Sequence, residues 1–267
     1  DHIKVTTVKP SFATWRPDTF DNLKAGTSPA PDGGFLVLPR LHPGVDVVSS
    51  LAGRVPDPAL PVGPVRIGGF GGIEGLRNWL RDNDITAVVD ATHPFAATIT
   101  AHAAAACAEL GVAHLVLNRP PWDTVGATVV NSDTEAADLV AAQRYSRVFL
   151  TTGRSGVAAF RDSEAWCLIR VVTPPDPDTL PRGHHLLLSR GPYRFDDERA
   201  ILADYAVGAM VTKNSGGAMT RAKVDAAQDL GIDVVMIQRP DLPPGVDVVD
   251  SVDAAHDWVL SRDNAAG

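Results

Sequence analysis

Asp84-Ile85-Thr86-Ala87-Val88-Val89-Asp90-Ala91-Thr92-His93-Pro94-Phe95-Ala96, with the alanine-rich run that follows, Gly111 and the apolar run Val112 to Leu117, is the stretch that decides the fold. Ile85 to Val89 is a short β-branched run without alternation, the pattern of a strand buried on both faces of a parallel sheet. Pro94 suits the first turn of a helix, where a missing N–H costs nothing. Strong helix formers run from Ala96 to Leu110, and Gly111 stands where a left-handed C-cap residue is expected. Val112 to Leu117 then reads as the next strand, completing a βαβ unit of right-handed crossover. In open parallel sheets ligands lie beyond the carboxyl ends of the strands, so the Asp90 to Phe95 turn is the first place to look for chemistry.

Outward from this unit the pattern repeats. Val45 to Ser50 and Val65 to Ile67 read as strands, separated by a proline-rich loop at 56–64. The second strand ends in Gly68-Gly69-Phe70-Gly71-Gly72, and Ile73, Leu76, Trp79 and Leu80 form one helical stripe. Gly69 and Gly71 match two positions of a dinucleotide fingerprint but Glu74 holds the third, so that motif is incomplete. After Asn118-Arg119-Pro120-Pro121, strands are expected at 128–130, 148–152, 167–172, 186–189, 209–212 and 234–237. Helices are expected from Ser132 onward and near 196–205, 218–230 and 252–260. Ser132 and Glu135 have the spacing of a capping box. Alternating strands and helices in both halves give an α/β chain with mainly parallel sheets. The expected organisation is an atypical segment 1–40, a domain 41–121 and a domain 122–267. Residues 1–40 carry five prolines and read as irregular, with one short strand at 35–38.

The 267 residues are 45% hydrophobic and 21% charged, the balance of a globular chain, with a net charge of −8. That charge argues against non-specific nucleic-acid binding, and no apolar run has the ~20 residues of a membrane span. No secretory-type opening segment is visible, and the reducing cytoplasm is the expected compartment. Cys107 and Cys167 are too few for a disulfide framework or a structural zinc site, and read as buried small residues. His184-His185 has no acidic or cysteine partner nearby, so no metal is expected. A monomer is expected.

Four turns hold groups that could carry chemistry, three of them suited to an anion. Thr152-Gly153-Arg154-Ser155 follows a buried strand directly, and hydroxyls, backbone N–H groups and an arginine converge there, either on a phosphate or as plain turn chemistry. Lys213-Asn214-Ser215-Gly216-Gly217 has the same placement, and reads as an anion cradle or as a glycine turn with a solvated lysine. Arg54, after Ser50-Leu51-Ala52-Gly53, lies where a 2′-phosphate partner would sit if the strand order is as expected, or is a surface residue. His93 is placed to donate a proton or bind a ligand, or to serve the turn alone, and Asp90 reads as a helix cap.

Together Ser50 to Arg54, Gly69-Phe70-Gly71-Gly72, Asp90 to Ala96, Thr152-Gly153-Arg154 and Thr212 to Gly216 resemble the precorrin-6A reductase family of cobalamin biosynthesis, from about Leu41 onward. The resemblance implies two Rossmann-like domains with a ligand cleft between them, and NADPH as the cofactor. It implies reduction of one double bond of the precorrin-6A macrocycle, a tetrapyrrole, to give precorrin-6B. Carried onto this chain, it makes Thr152, Gly153, Arg154, Ser155, Ser50, Gly53 and Arg54 cofactor contacts. Gly71, Phe95, Arg190, Tyr193, Lys213, Asn214, Ser215 and Gly216 become macrocycle contacts, and His93 the candidate proton donor. Residues 1–40 depart from the strand and Gly-Gly-Thr-type turn with which the family opens. A non-catalytic tetrapyrrole- or nucleotide-binding Rossmann protein with a degraded N-terminal loop is therefore the alternative. A Rossmann-type transferase is the third reading.

Overall fold

A computed structural model describes residues 3–9, 45–52 and 64–263. The chain divides into two units, Asp1–Pro120 with Asp241–Gly267, and Pro121–Pro240. Both crossings between the units come directly after an Arg-Pro step, at Pro120-Pro121 and Pro240-Asp241.

The first unit is built on β1 (Ile3–Lys9), β2 (Val45–Leu51), β3 (Val65–Ile67), β4 (Ala87–Asp90), β5 (Ala113–Leu117) and β12 (Asp247–Val249), with helices α1 (Gly72–Asp82), α2 (Ala97–Leu110) and α7 (Val252–Asp263). Its sheet runs β12-β5-β4-β1-β2-β3 and every pairing in it is parallel. That is the 3-2-1-4-5-6 order of the doubly wound nucleotide-binding sheet, whose ligands bind where the order reverses, here between β1 and β4. All four residues of β4 are buried. Ala87 and Val89 pack with Leu115, Ala255 and Val259 on one face. Val88 packs on the other with Leu76, Leu80, Ala103, Ala106 and Cys107 of α1 and α2. Two covered faces are the reason the strand carries no polar alternation.

The second unit holds β6 (Ala127–Val130), β7 (Arg147–Thr151), β8 (Trp166–Val171), β9 (His184–Leu188), β10 (Ala209–Lys213) and β11 (Asp233–Ile237). Its helices are α3 (Asp133–Ala142), the single turn α4 (Arg154–Val157), α5 (Phe195–Asp204) and α6 (Ala222–Asp229). The order is β6-β11-β10-β7-β8-β9, again all parallel. It repeats the first sheet's order, except that the sixth place is filled by the strand that comes first in the unit. Phe149, Leu168, Leu202, Met210, Val224 and Met236 form its largest buried cluster.

The structure corrects three expectations. Residues 1–40 are not irregular throughout, because Ile3–Lys9 is a strand in the middle of the first sheet, paired with both β2 and β4. The signal was present in Ile3, Val5, Thr6, Thr7 and Val8, a β-branched run framed by lysines. The strand expected at 35–38 and the proline-rich loop at 56–64 fall largely or wholly outside the described residues. Residues 241–267 belong with the first unit, not with 122–267, because β12, which sequence reading missed, pairs with β5. Pro94 lies in a turn before α2, which begins at Ala97.

Local signals held where the chemistry is short-range. Glu135 N–H donates to Ser132 Oγ at 3.0 Å, and the Glu135 carboxylate reaches back to the Asn131 N–H at 2.8 Å, closing the capping box one residue early. Gly111 ends α2 in the left-handed region at φ 67°. Gly75 is required for another reason, since a Cβ there would collide with the Phe70 carbonyl oxygen. Gly75→Ala is expected to cost about 3 kcal/mol or more, because the helix and the Gly68–Gly72 turn cannot both stay in place. Urea unfolding checks this, and wild-type stability would show that the turn yields freely.

Candidate functional site

Parallel strands deliver their carboxyl ends to one edge, and in each unit the turns singled out above lie there. In the second sheet β7 and β10 are neighbours, with Thr151 level with Thr212. The Thr152–Ser155 and Lys213–Gly217 turns therefore leave from adjacent strands at the point where the strand order reverses. Some sixty residues apart in sequence, the two turns are brought together by the pairing of β7 with β10.

Thr152 is buried, and its Oγ1 has no hydrogen-bond partner among the described residues. Arg154 and Ser155 are exposed. The Gly156 N–H turns back to the Gly153 carbonyl at 3.2 Å. Gly156 is packed so closely that a Cβ would run into both Asp133 Oδ1 and Thr152 Oγ1. Asp133, at the start of α3, forms an ion pair with Lys213 Nζ at 3.3 Å, while its Oδ1 is buried without a partner among the described residues. Lys213 therefore meets a carboxylate inside the fold, which sequence spacing could not reveal across some eighty residues.

Asn214 is turned inward. Its Oδ1 accepts the Trp122 N–H at 2.8 Å and its Nδ2 donates to the Trp122 carbonyl at 3.1 Å. Trp122 Nε1 donates to the Gly217 carbonyl at 2.7 Å, and Arg239 Nε donates to the Asn214 carbonyl at 2.8 Å. The side chain given as a macrocycle contact is thus spent on shaping the turn, and Trp122 and Arg239 are partners that sequence reading missed. Ser215 and Gly216 follow, with the Ser215 N–H on the Lys213 carbonyl at 2.7 Å. Arg190 is exposed. Tyr193 donates its hydroxyl to the Ser189 carbonyl at 3.3 Å, and its ring lies 4.2 Å from the Arg170 guanidinium.

At the first sheet's reversal point, Asp90 ends β4 level with Val8 of β1. It is 1% exposed. Its Oδ1 accepts the Thr92 N–H at 2.9 Å, an Asx turn. It does not cap α2, whose N-cap is Ala96 without a side-chain bond, so the capping expectation is corrected. Asp90 Oδ2 is buried with no partner among the described residues. Asp90 raises both neighbouring titrations: the Cys107 thiol is pushed up to about 12, first by burial and then by this carboxylate. Burial drives His114 below its ordinary value against the pull of Asp90 and Asp247. The Cys167 thiol is also pushed up, to about 11, by burial. Both thiols stay protonated at neutral pH and are poor nucleophiles.

His93 Nδ1 accepts the Phe95 N–H at 3.2 Å, which leaves the neutral ring with its proton on Nε2, and the two rings are 5.8 Å apart. Ser50 is buried in β2, level with Val8. Gly71 starts α1 in the left-handed region, in the turn whose carbonyls at Gly68 and Gly69 accept from Arg66. Gly53 and Arg54 lie outside the described residues. Among the described residues no group of three metal-ligating side chains comes together, and no helix is long and apolar enough to cross a membrane.

A family model described as precorrin-6x reductase CbiJ/CobK matches residues 25–260. The chain belongs to that family. It is 67% identical over 226 residues to a precorrin-6A reductase of Mycobacterium tuberculosis, covering 85% of this chain and 93% of the relative. It is 50% identical over 220 residues to a precorrin-6A reductase of Rhodococcus erythropolis, covering 81% and 88%. A solved structure titled CobK precorrin-6A reductase superposes with a TM-score of 0.77 at 31% identity, covering 97% of this chain and 96% of that one. The mixed α/β fold with parallel sheets is therefore that of the family.

A buried hydroxyl without a partner costs about 1–3 kcal/mol, and it persists where it serves something else. Thr152→Val is expected to raise the stability of the ligand-free protein by about 1 kcal/mol, read as a shift in denaturant midpoint. A destabilised variant would mean that Thr152 Oγ1 has a partner after all.

Proposed function

We propose that the chain is an NADPH-dependent reductase that saturates one double bond of the precorrin-6A macrocycle, giving precorrin-6B, in the cytoplasm. The similarity to the Mycobacterium tuberculosis precorrin-6A reductase, extending over nearly all of that relative, carries this reading. Two Rossmann-like domains are proposed on the strand orders of the two sheets.

The residues at the second sheet's reversal point fit a phosphate-bearing cofactor. Arg154 and Ser155 are exposed donors at the start of the single turn α4. Asp133, whose carboxylate packs against Gly156 of the same turn, is paired with Lys213. In this reading Thr152, Gly153, Arg154 and Ser155 hold phosphate, and Ser50, Gly53 and Arg54 serve the cofactor from the first unit. When bound, NADPH supplies the hydride. The protein binds, orients and excludes water, and a proton completes the addition across the double bond.

The macrocycle bears several carboxylates, and arginine and lysine on rigid turns suit them. Arg190, Tyr193, Lys213, Ser215 and Gly216 are proposed to face it, joined by Gly71 and Phe95. Asn214 acts behind them by holding the turn. His93 is the proposed proton donor, and the Phe95 N–H on its Nδ1 leaves Nε2 as the nitrogen that carries the ring proton.

A thermal-shift titration separates the cofactors: NADPH at a hundredfold its dissociation constant is expected to add ~2.7 kcal/mol of stability, and NADH little. Equal shifts would remove the 2′-phosphate contact from the proposal, and no shift with either would favour a different ligand. Arg154→Ala is expected to raise the NADPH KM about tenfold or more, the size of a charge-assisted hydrogen bond. His93→Ala is expected to lower turnover with precorrin-6A, and unchanged turnover would exclude it as the donor.

A further inference from the structure

The second unit buries a cationic group that the proposed reaction does not use. Lys223, in the first turn of α6, is 6% exposed within the cluster that contains Trp122, Phe149 and Leu168. Its Nζ lies 5.4 Å from the centre of the Trp122 ring. Arg170 of β8 (5% exposed) donates from a terminal nitrogen to Glu198 Oε2 of α5 (1% exposed) at 2.7 Å, and its guanidinium faces the rings of Phe149 and Tyr193. Arg170 Nε is buried without a partner among the described residues. Two cations thus lie in a hydrophobic core with one carboxylate, which is paired with Arg170. An apolar side chain of the same length would be cheaper there, so a lysine kept in this place calls for a role.

Geometry supplies the role. The ring that Lys223 faces is the one whose Nε1 holds the Gly217 carbonyl and whose backbone is clamped on both sides by Asn214. The short 3-10 turn Ala218–Thr220 leads from Gly217 directly into α6, so Lys223 and the turn it supports are also joined through the chain. Tyr193 closes the other side, its N–H on the Met219 carbonyl at 3.2 Å.

We infer that Lys223 is a positioning residue for the Lys213–Gly217 turn, its ammonium holding the Trp122 ring and through it Gly217 and Asn214. The inference rests on the reading of that turn as a substrate contact. The titratable groups facing Lys223 are Arg170 and Glu198, with Tyr193 beyond Arg170. Burial, first, and then the Arg170 charge bring the Lys223 ammonium down to about 7, with Glu198 pulling the other way. The hold on Trp122 is consequently strong below neutrality and slackens above it, when the amine loses the charge that the ring face attracts.

The test follows the Trp122 indole N–H and the Gly216 and Gly217 amides by NMR in the full chain, between pH 5.5 and 9. In the native protein all three are expected to titrate together with a midpoint of about 7. In Lys223→Met they are expected to stay at one position throughout. The KM for precorrin-6A is expected to rise roughly threefold across the same midpoint in the native enzyme, the size of one cation–π contact, and to be flat in the variant. Linkage gives a second check. The unfolded chain binds the proton that folded Lys223 has lost between about pH 7 and the ordinary 10.5, so native stability should climb with pH across that window. Lys223→Met should lack the climb, while Lys223→Arg should be charged, and flat, at every pH. The same titration in Lys223→Met as in the native chain would overturn the inference, as would a Trp122 signal that moves without Gly216 and Gly217. Absence of NADPH oxidation would count against the reductase reading instead, and would leave the NMR result to be judged alone.

Discussion

A parallel sheet imposes two conditions on a chain: both faces must be covered, and every strand must leave by the same edge. Each pairing found in the two sheets is parallel, and the rest of the molecule answers to those conditions. The first condition explains why β4 and β7 read as unbroken apolar runs, flanked by helices that bring alanine and leucine to the sheet. The second gathers the Asp90–Phe95 turn on one sheet and the Thr152–Ser155 and Lys213–Gly217 turns on the other at the edges where the strand order reverses. Chemistry concentrates there because backbone donors, short turns and helix starts are delivered to a single line.

What holds these turns is more polar than a core usually tolerates. Asn214 spends its amide on the Trp122 backbone, Asp133 takes Lys213, and Arg170 takes Glu198. Each of these bonds joins segments far apart in sequence, and the two ion pairs leave a remainder: Asp133 Oδ1 and Arg170 Nε are buried without partners among the described residues, as is Thr152 Oγ1. Groups of this kind lower stability relative to an apolar replacement and raise the definition of the geometry around them. Two of them, Asp133 Oδ1 and Thr152 Oγ1, stand together against Gly156 at the Thr152–Ser155 turn.

The sequence was legible where the physics is local. Strands buried on both faces, the Ser132 capping box and the Gly111 stop depend on a few adjacent residues and stand where they were expected. The turns that carry donors were visible because glycine, proline and hydroxyl residues punctuate strand ends. What escaped was long-range. Nothing in Asp247-Val248-Val249, three residues between loops, announces a partner in β5, so the last segment was assigned to the wrong unit. Ile3–Lys9 was overlooked because the prolines that follow it dominated the reading of the first forty residues. Asn214 was read as facing a ligand, since only the fold shows that Trp122 comes within reach. Asp90 was read as a cap, because a turn to Thr92 and a cap three residues on begin with the same residue type.

The place of β12 has a consequence for how the molecule is made. The second unit is continuous, from Pro121 to Pro240, whereas the first is interrupted by it and is completed only when Asp247–Val249 lies against Leu115–Leu117. During synthesis the second unit is whole before the first can close its sheet. Until then β5 presents a bare row of N–H and C=O groups beside an apolar face, the geometry that invites another chain's strand. The order of emergence from the ribosome thus makes the first unit, which begins earlier, the last to finish, and leaves its outer edge in need of protection for as long as the inserted unit takes to appear.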